Sequence, residues 1–275
     1  MPIRICVAGA TGWVGQLLVE KILEADEFSL SGAIARTAAG QDIGTALGQA
    51  PLGVTVAASL DEALSRPTDV LVDYTAPESV KERALAAVAR GVRVVIGTSG
   101  LNAADYVEIE EAANRSNVGV IAAGNFSITA ALAKHFALFA AQHLPSWEII
   151  DYAHAEKVDA PSGTTLELAE ELARIRESRI EVPVERTHGC RDARGANISG
   201  TQIHSVRLPS YVIAFETIFG LPDERLTIRH DSGTGAMPYV GGTLLAIRRV
   251  MKITGLVRGL DRLLFDQLNT ADVPG

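Results

Sequence analysis

A glycine-rich turn directly after the first apolar segment is the feature that most constrains the fold. Residues 3–8 form a short apolar run, which is typical of a β-strand buried on both faces. Gly9, Gly12 and Gly15 follow at intervals of three, with Thr11 in the usual place of the second glycine of a dinucleotide-binding fingerprint. Because this turn leads into a helix predicted over residues 16–24, we predict a nucleotide-binding βαβ unit rather than a merely structural turn.

Strand and helix segments alternate through the first half of the chain. Further strands are predicted at residues 28–35, 54–57, 70–74, 93–97 and 118–122, with helices at residues 59–64 and 77–90. This alternation predicts an α/β fold with a Rossmann-like, doubly wound parallel sheet. Ligands bind beyond the carboxyl ends of the strands in such sheets, so five loops should meet at one edge: residues 9–15, 35–37, 74–77, 97–100 and 124–127.

The second half of the chain predicts a different kind of unit, with an α+β mixed sheet. Helices are predicted at residues 127–142, 162–176, 240–254 and 260–268, and strands at residues 148–153, 198–207, 210–219 and 224–230, the last three antiparallel. The helix over residues 127–142 is expected to bury one apolar stripe, made of Ala130, Leu132, Phe136, Leu138 and Phe139. Ser162 is expected to cap the helix that follows it.

A candidate anion site lies at the start of that second helix. Ser162, Gly163 and Thr164 place backbone N–H groups, two hydroxyls and a glycine at a helix N-terminus, where negative charge is favoured. Lys157 adds a cation just before them, and His154 adds a group that titrates near physiological pH. A capped helix with a surface lysine is the alternative reading of the same residues.

The loop after the second strand bears on the choice of cofactor. NAD-binding proteins usually place an acid there, on the ribose 2′-hydroxyl, whereas this chain has Ala35, Arg36 and Thr37. A guanidinium without a neighbouring carboxylate favours the 2′-phosphate of NADPH, with NADH as the second choice. A solvated surface arginine remains the other interpretation of Arg36.

Charge and composition exclude several classes of partner. A net charge of −8 and a pI near 5.3 oppose binding to nucleic acid or to an anionic membrane surface. Two cysteines, Cys6 and Cys190, cannot form a disulfide framework, and no export signal or membrane span is recognised, so we expect a cytoplasmic protein. His188 and Cys190 lack further ligands at suitable spacing, and no metal is expected.

Taken in order, these motifs resemble the 4-hydroxy-tetrahydrodipicolinate reductase family of the diaminopimelate and lysine pathway. The resemblance rests on the glycine turn and on four further segments, at residues 73–78, 97–100, 125–127 and 157–164. The last of these, Lys-Val-Asp-Ala-Pro-Ser-Gly-Thr, is highly specific to the family. The resemblance implies hydride transfer from NADPH or NADH to a cyclic imine dicarboxylate, by a homotetramer. It also implies a dinucleotide-binding domain at residues 1–126, a substrate-binding and oligomerisation domain at 127–234, and C-terminal helices at 235–275 that return to the first domain.

The resemblance also assigns roles to individual residues. The pyrophosphate would contact the glycine turn, which comprises Gly9, Ala10, Thr11, Gly12, Trp13 and Val14. Arg36 would contact the adenosine ribose or its phosphate, with Thr37 and Thr75 as further cofactor-binding candidates. The nicotinamide end would lie against two loops, namely Gly97, Thr98 and Ser99 together with Gly124, Asn125 and Phe126. Catalysis is assigned to Lys157 and His154, and substrate binding to His154, Lys157, Ser162, Gly163, Thr164 and Ser99.

One departure from the family pattern concerns the proton. The family's usual segment is His-His-Arg-His-Lys, whose first histidine is the expected proton donor, but this chain has Ala153 there. A methyl group cannot donate a proton, so Lys157, His154 or a bound water must supply it, or the substrate differs. The chain is therefore expected to be a divergent member, and the alternative is a paralogous NADPH-dependent oxidoreductase acting on another imine, alkene or amine.

Overall fold

The computed structural model describes residues 1–265, and the chain divides into two compact units. The first unit contains Met1–Ile128 and the described residues from Ala236 to Phe265, and the second contains Thr129–Gly235. The functions assigned to these two parts of the chain stay a prediction. Among the described residues, no helix has the length and apolar character needed to cross a membrane.

The first unit begins with the alternating strands and helices that the sequence predicts. Its strands in this part are β1 (Ile3–Ala8), β2 (Phe28–Ile34), β3 (Val56–Ala57), β4 (Val70–Asp73), β5 (Arg93–Ile96) and β6 (Gly119–Ala122). The helices are α1 (Trp13–Glu24), α2 (Ile43–Ala46), α3 (Leu60–Ala63), α4 (Pro77–Val88) and α5 (Ala103–Ser116). All neighbouring strands are parallel, and most of their residues are buried, because helices cover the sheet.

The second unit is a five-stranded mixed sheet with helices on one face. Its elements are α6 (Ile128–His143), β7 (Ser146–Ala153), α7 (Gly163–Ala173), β8 (Ala196–Ile198), β9 (Thr201–Arg207), β10 (Ile213–Leu221) and β11 (Glu224–Ser232). The strand order is β11-β10-β7-β9-β8, so β7 is central. Alternate residues of β7 are buried, and Trp147 and Ile149 join one core cluster with residues of α6 and α7.

The remaining elements return to the first unit. These are α8 (Met237–Val250), β12 (Gly255–Arg258) and α9 (Leu260–Phe265). Strand β12 pairs in parallel with β6, which completes a seven-stranded sheet of order β12-β6-β5-β4-β1-β2-β3. The Rossmann-like parallel sheet and the mixed sheet are therefore confirmed. The end of the helix predicted over residues 260–268 lies outside the described residues.

Strands β9, β10 and β11 alternate in direction, as predicted, although β7 lies between β9 and β10 and pairs in parallel with β9. Two other local expectations were wrong. Helix α6 buries its alanines, whereas Phe136 and Phe139 of the expected stripe are 52% and 57% exposed. Ser162 occupies the N-cap position of α7, but its side chain makes no capping hydrogen bond.

Candidate active site

The glycine turn lies at the point where the winding of the first sheet reverses. Strands β2 and β4 flank β1 on opposite sides, which is the arrangement that opens a crevice at the carboxyl ends of the strands. Gly9 has a φ of +82°, and a Cβ there would overlap the carbonyl oxygen of Tyr74 in the loop after β4. A Cβ on Gly15 would overlap the carbonyl of Gly9. Both glycines are therefore required for the turn to pack against its neighbours.

A cavity of about 550 Å³ opens beside this turn. Six of the predicted cofactor residues line it, namely Gly9, Thr11, Gly12, Arg36, Thr37 and Thr75. Arg36 is exposed and Ala35 is buried beside it, so the end of β2 presents a guanidinium and no carboxylate. Gly12 provides no side-chain cap for α1, so the backbone N–H groups in the first turn of that helix can bind an anionic ligand. The donor set fits a phosphorylated nucleotide.

A buried carboxylate organises the loops after β4 and β5. Asp73, which is 1% exposed, accepts hydrogen bonds from the Thr75 hydroxyl (2.6 Å) and the Thr98 hydroxyl (2.9 Å) and forms an ion pair with Arg83 (2.6 Å). The Thr98 hydroxyl oxygen also accepts the Thr75 N–H (2.8 Å). Thr98 therefore acts within this structure as a link between the two loops. Asp73 and Arg83 were not anticipated as site residues, although an acid that ends an apolar strand is a recognisable signal.

A second set of contacts positions the loops expected at the nicotinamide end. The Tyr74 ring lies against Gly97, where any Cβ would overlap it, and packs edge-on to Phe126 at 6.2 Å. The Tyr74 hydroxyl bonds the Thr243 hydroxyl of α8 at 2.6 Å. Burial raises the pKa of Tyr74, so this phenol stays neutral. Helix α8 thus helps to hold the ends of β4, β5 and β6 together.

The other predicted cofactor residues are distributed around these loops. Ala10 is fully buried, Phe126 is 1% exposed, and Trp13, the first residue of α1, is half exposed. Val14 is in the same turn of α1, and Ser99, Gly124 and Asn125 lie in the loops after β5 and β6. None of these seven lines the cavity described above. Their contact with a cofactor stays a prediction.

In the second unit, Asp151 of β7 anchors the residues of the candidate anion site. It is fully buried, and its carboxylate accepts hydrogen bonds from the Ser162 N–H (3.0 Å), the Ser162 hydroxyl (2.6 Å) and the Thr165 hydroxyl (2.9 Å). The Ser162 side chain is thus engaged in the protein interior. What α7 offers to a ligand is its N-terminal backbone at Gly163, where an added Cβ would meet nothing within 4 Å.

Arg207, at the end of β9, connects this network to the loop before α7. One of its terminal nitrogens lies 2.7 Å from the Asp151 carboxylate and 2.7 Å from the carbonyl oxygen of Asp159. Burial by itself would raise the pKa of Asp151, but hydrogen bonds from Ser162, Arg207 and Thr165 together hold this pKa below its usual value. Asp151 is therefore a charged anchor for the segment that carries Lys157.

The predicted catalytic residues lie on this anchored segment. Lys157 donates its N–H to the His154 carbonyl (3.1 Å), and its ammonium pairs with Asp159 at 2.7 Å. His154 is exposed and Lys157 is half-buried. Ala153 is fully buried and lies on the same face of β7 as Asp151, so position 153 contributes no titratable group. Thr164 lies in the first turn of α7. No group of three potential metal-binding side chains occurs within residues 1–265.

Comparison with known proteins decides the family. Residues 3–126 match the family model for the dihydrodipicolinate reductase N-terminus, and residues 126–264 match the model for its C-terminus. The chain belongs to the dihydrodipicolinate reductase family. The family resemblance seen in the sequence motifs is thereby confirmed across almost the whole chain.

Individual members of the family show the same full-length match. The chain is 41% identical over 271 residues to the 4-hydroxy-tetrahydrodipicolinate reductase of Synechococcus elongatus, covering 96% of this chain and 99% of the relative. It is 39% identical over 264 residues to that of Desulfitobacterium hafniense, covering 95% and 98%. The dipicolinate-bound dihydrodipicolinate reductase from Paenisporosarcina sp. TG-14 superposes with a TM-score of 0.79 at 33% identity, covering 95% of this chain and 99% of that one.

Proposed function

We propose that the protein reduces 4-hydroxy-tetrahydrodipicolinate to tetrahydrodipicolinate with NADPH, a step of diaminopimelate and lysine biosynthesis. The observation that carries this proposal is the anchored α7 N-terminus with Lys157 beside it, in a chain that matches named reductases along its full length. A helix N-terminus and an ammonium suit a carboxylate. The Paenisporosarcina relative binds dipicolinate, which is a pyridine dicarboxylate.

For the cofactor, the Rossmann-like unit supports a nicotinamide dinucleotide, and Arg36 favours NADPH over NADH. The glycine turn from Gly9 to Val14 would hold the pyrophosphate, while Arg36, with Thr37 and Thr75 nearby, would hold the ribose that carries the 2′-phosphate. The loops around Thr98 and Phe126 would hold the nicotinamide end. When bound, this cofactor supplies the hydride.

Cofactor choice has a direct test in Arg36→Ala. Because the variant removes an exposed guanidinium, we expect NADPH to bind about 10–100-fold more weakly while NADH binding stays within about twofold. Calorimetric titration of both cofactors measures this ratio. An equal loss for both would remove the argument for NADPH.

The substrate would be held through its carboxylates by the α7 N-terminus and by Lys157. Gly163 and Thr164 supply the first turn of the helix, and His154 and Ser99 are further substrate-binding candidates. Ser162 is assigned a positioning role, since its hydroxyl and N–H both bond Asp151. Asp151 is fully buried and out of contact with water, so its charge interacts with the hydrogen-bond donors around it.

The proton needed alongside the hydride must come from a group other than residue 153. Ala153 is buried, whereas His154 and Lys157 lie on the anchored segment before α7, and we assign proton donation to these two candidates. Replacing His154 by Asn and Lys157 by Arg in separate variants distinguishes them. The variant that lacks the true donor should have a kcat about 10²–10⁴-fold lower, and its pH profile should lose the limb that the donor's titration produces.

Gly163→Ala tests whether the α7 N-terminus contacts the substrate. An added methyl group meets no atom of the described residues within 4 Å, so the unliganded protein should keep its stability. A substrate carboxylate bound there would collide with the methyl group, and KM should rise at least tenfold with the Kd for NADPH unchanged. An unchanged KM would place the carboxylate elsewhere.

The decisive assay follows NADPH absorbance with enzymatically generated 4-hydroxy-tetrahydrodipicolinate, beside a panel of other cyclic imines and activated alkenes. Turnover of the first supports the proposal. Negligible turnover of it together with a good rate on another compound would favour the second candidate function, a paralogous imine, alkene or amine oxidoreductase. The observation that favours this second function is Ala153, which removes the family's expected donor.

We also propose a cytoplasmic homotetramer assembled through the second unit. The support for this assembly is the family resemblance. Sedimentation of the purified chain at micromolar concentration tests it, and a monomer under those conditions would refute it.

A further inference from the structure

Tyr239 carries a buried hydroxyl without a hydrogen-bond partner among residues 1–265. The residue lies in the first turn of α8 and is 8% exposed. A phenol removed from water without a partner costs stability, so proteins usually satisfy such groups or use them to bind something. The other tyrosine in this region, Tyr74, has its hydroxyl satisfied by Thr243.

The surroundings of Tyr239 are the loops that form the predicted cofactor edge. Its ring packs edge-on against Trp13 at 5.5 Å, and Trp13 is the first residue of α1, directly after the glycine turn. One turn further along α8, a Cβ on Gly242 would overlap the Phe126 carbonyl, so α8 lies hard against the loop after β6. Tyr239 therefore packs beside the residue that follows the glycine turn, on a helix that also contacts the loop expected at the nicotinamide.

We propose that the Tyr239 hydroxyl donates a hydrogen bond to an oxygen of the nicotinamide half of the bound dinucleotide, on its phosphate or its ribose. This inference rests on the proposed cofactor. A phenol O–H is a neutral donor, and both oxygens accept hydrogen bonds. The desolvation cost that the hydroxyl imposes on the free protein is recovered when the ligand supplies an acceptor.

Tyr239→Phe tests this assignment by removing one oxygen and keeping the ring on Trp13. Because the hydroxyl has no partner to lose within residues 1–265, the melting temperature of the free variant should stay the same or rise. The Kd for NADPH, measured by calorimetry without substrate, should rise about tenfold, which is the effect of one hydrogen bond. The Kd for adenosine 2′,5′-bisphosphate, which lacks the nicotinamide half, should not change.

Tyr74→Phe is the matched control, because its hydroxyl does have a protein partner at 2.6 Å and its loss should lower the melting temperature of the free protein. An unchanged Kd for NADPH in Tyr239→Phe would overturn the inference, and so would an equal loss for both ligands, which would indicate general damage to the loops. Failure of the unaltered protein to bind NADPH would instead refute the proposed function.

Discussion

The sharpest test of the second unit is Asp151→Asn. The side chain keeps its shape, but one acceptor oxygen becomes an amide that donates. If the amide takes the place of the oxygen that faces Ser162 N–H (3.0 Å) and Arg207 (2.7 Å), both donors lose this acceptor, and Arg207 keeps only backbone carbonyls such as that of Asp159 (2.7 Å). A hydrogen bond to a charged group is worth about 1.5–3 kcal/mol, and breaking a buried ion pair costs about 3–5 kcal/mol. We expect the free energy of unfolding of the second unit to fall by about 3–5 kcal/mol in this variant.

The measurement is urea unfolding followed by the fluorescence of Trp147, which is buried in the second unit. The Trp13→Phe background removes the other tryptophan, which belongs to the first unit. Asp159→Asn is the matched control, because that carboxylate is 51% exposed and pairs only with Lys157 among the described ion pairs. The free energy of unfolding should fall by less than about 1 kcal/mol in Asp159→Asn. Equal losses in the two variants would refute the view that Asp151 anchors the site.

Three further outcomes are expected. The pKa of Asp151 in the folded state is lowered, so its contribution to stability is present above about pH 4 and is lost as the pH falls through that lowered value. Urea titrations at several pH values should therefore show that the free energy of unfolding falls less towards acid pH in Asp151→Asn than in the unaltered protein. Lys157→Ala should reduce turnover strongly while the Kd for NADPH stays within about twofold, and equal losses would contradict its substrate role. Gly97→Ala would force a methyl group into the Tyr74 ring, which should cost about 1–3 kcal/mol in thermal unfolding; an unchanged melting temperature would show that the loop relaxes freely.

The parts of the fold that were predictable from sequence are those in which local pattern and tertiary environment agree. Buried parallel strands appear as short apolar runs, and the glycine turn marks the first crossing of the sheet. Helix α5 was missed although Asn102 and Asp105 form a capping box at its start, because its sequence is rich in charged and polar residues and only Ile109 and Ala113 are buried. Strand β12 was missed for a different reason, since four residues that pair with β6 carry no local signal of that pairing.

The candidate site was predictable as a set of loops but not as a network. The glycine turn and the segment from Lys157 to Thr164 are legible because they are contiguous in sequence. Asp151 and Arg207 are far apart in the chain and acquire their roles only when β7 and β9 pair. Helix α6 shows the same limit, since it contains both an alanine face and an aromatic face, and only packing decides that the smaller side chains are buried.

The late position of β12 in the chain has a consequence during synthesis. Gly119 of β6 pairs with Gly255, and the whole second unit is translated between them. Until then, the fully buried apolar residues of β6 form the open margin of a growing sheet, where unpaired N–H and C=O groups can recruit another strand. A chain truncated before residue 255 should therefore depend on chaperones more than the finished protein does, and released fragments that end on either side of β12 should differ in aggregation.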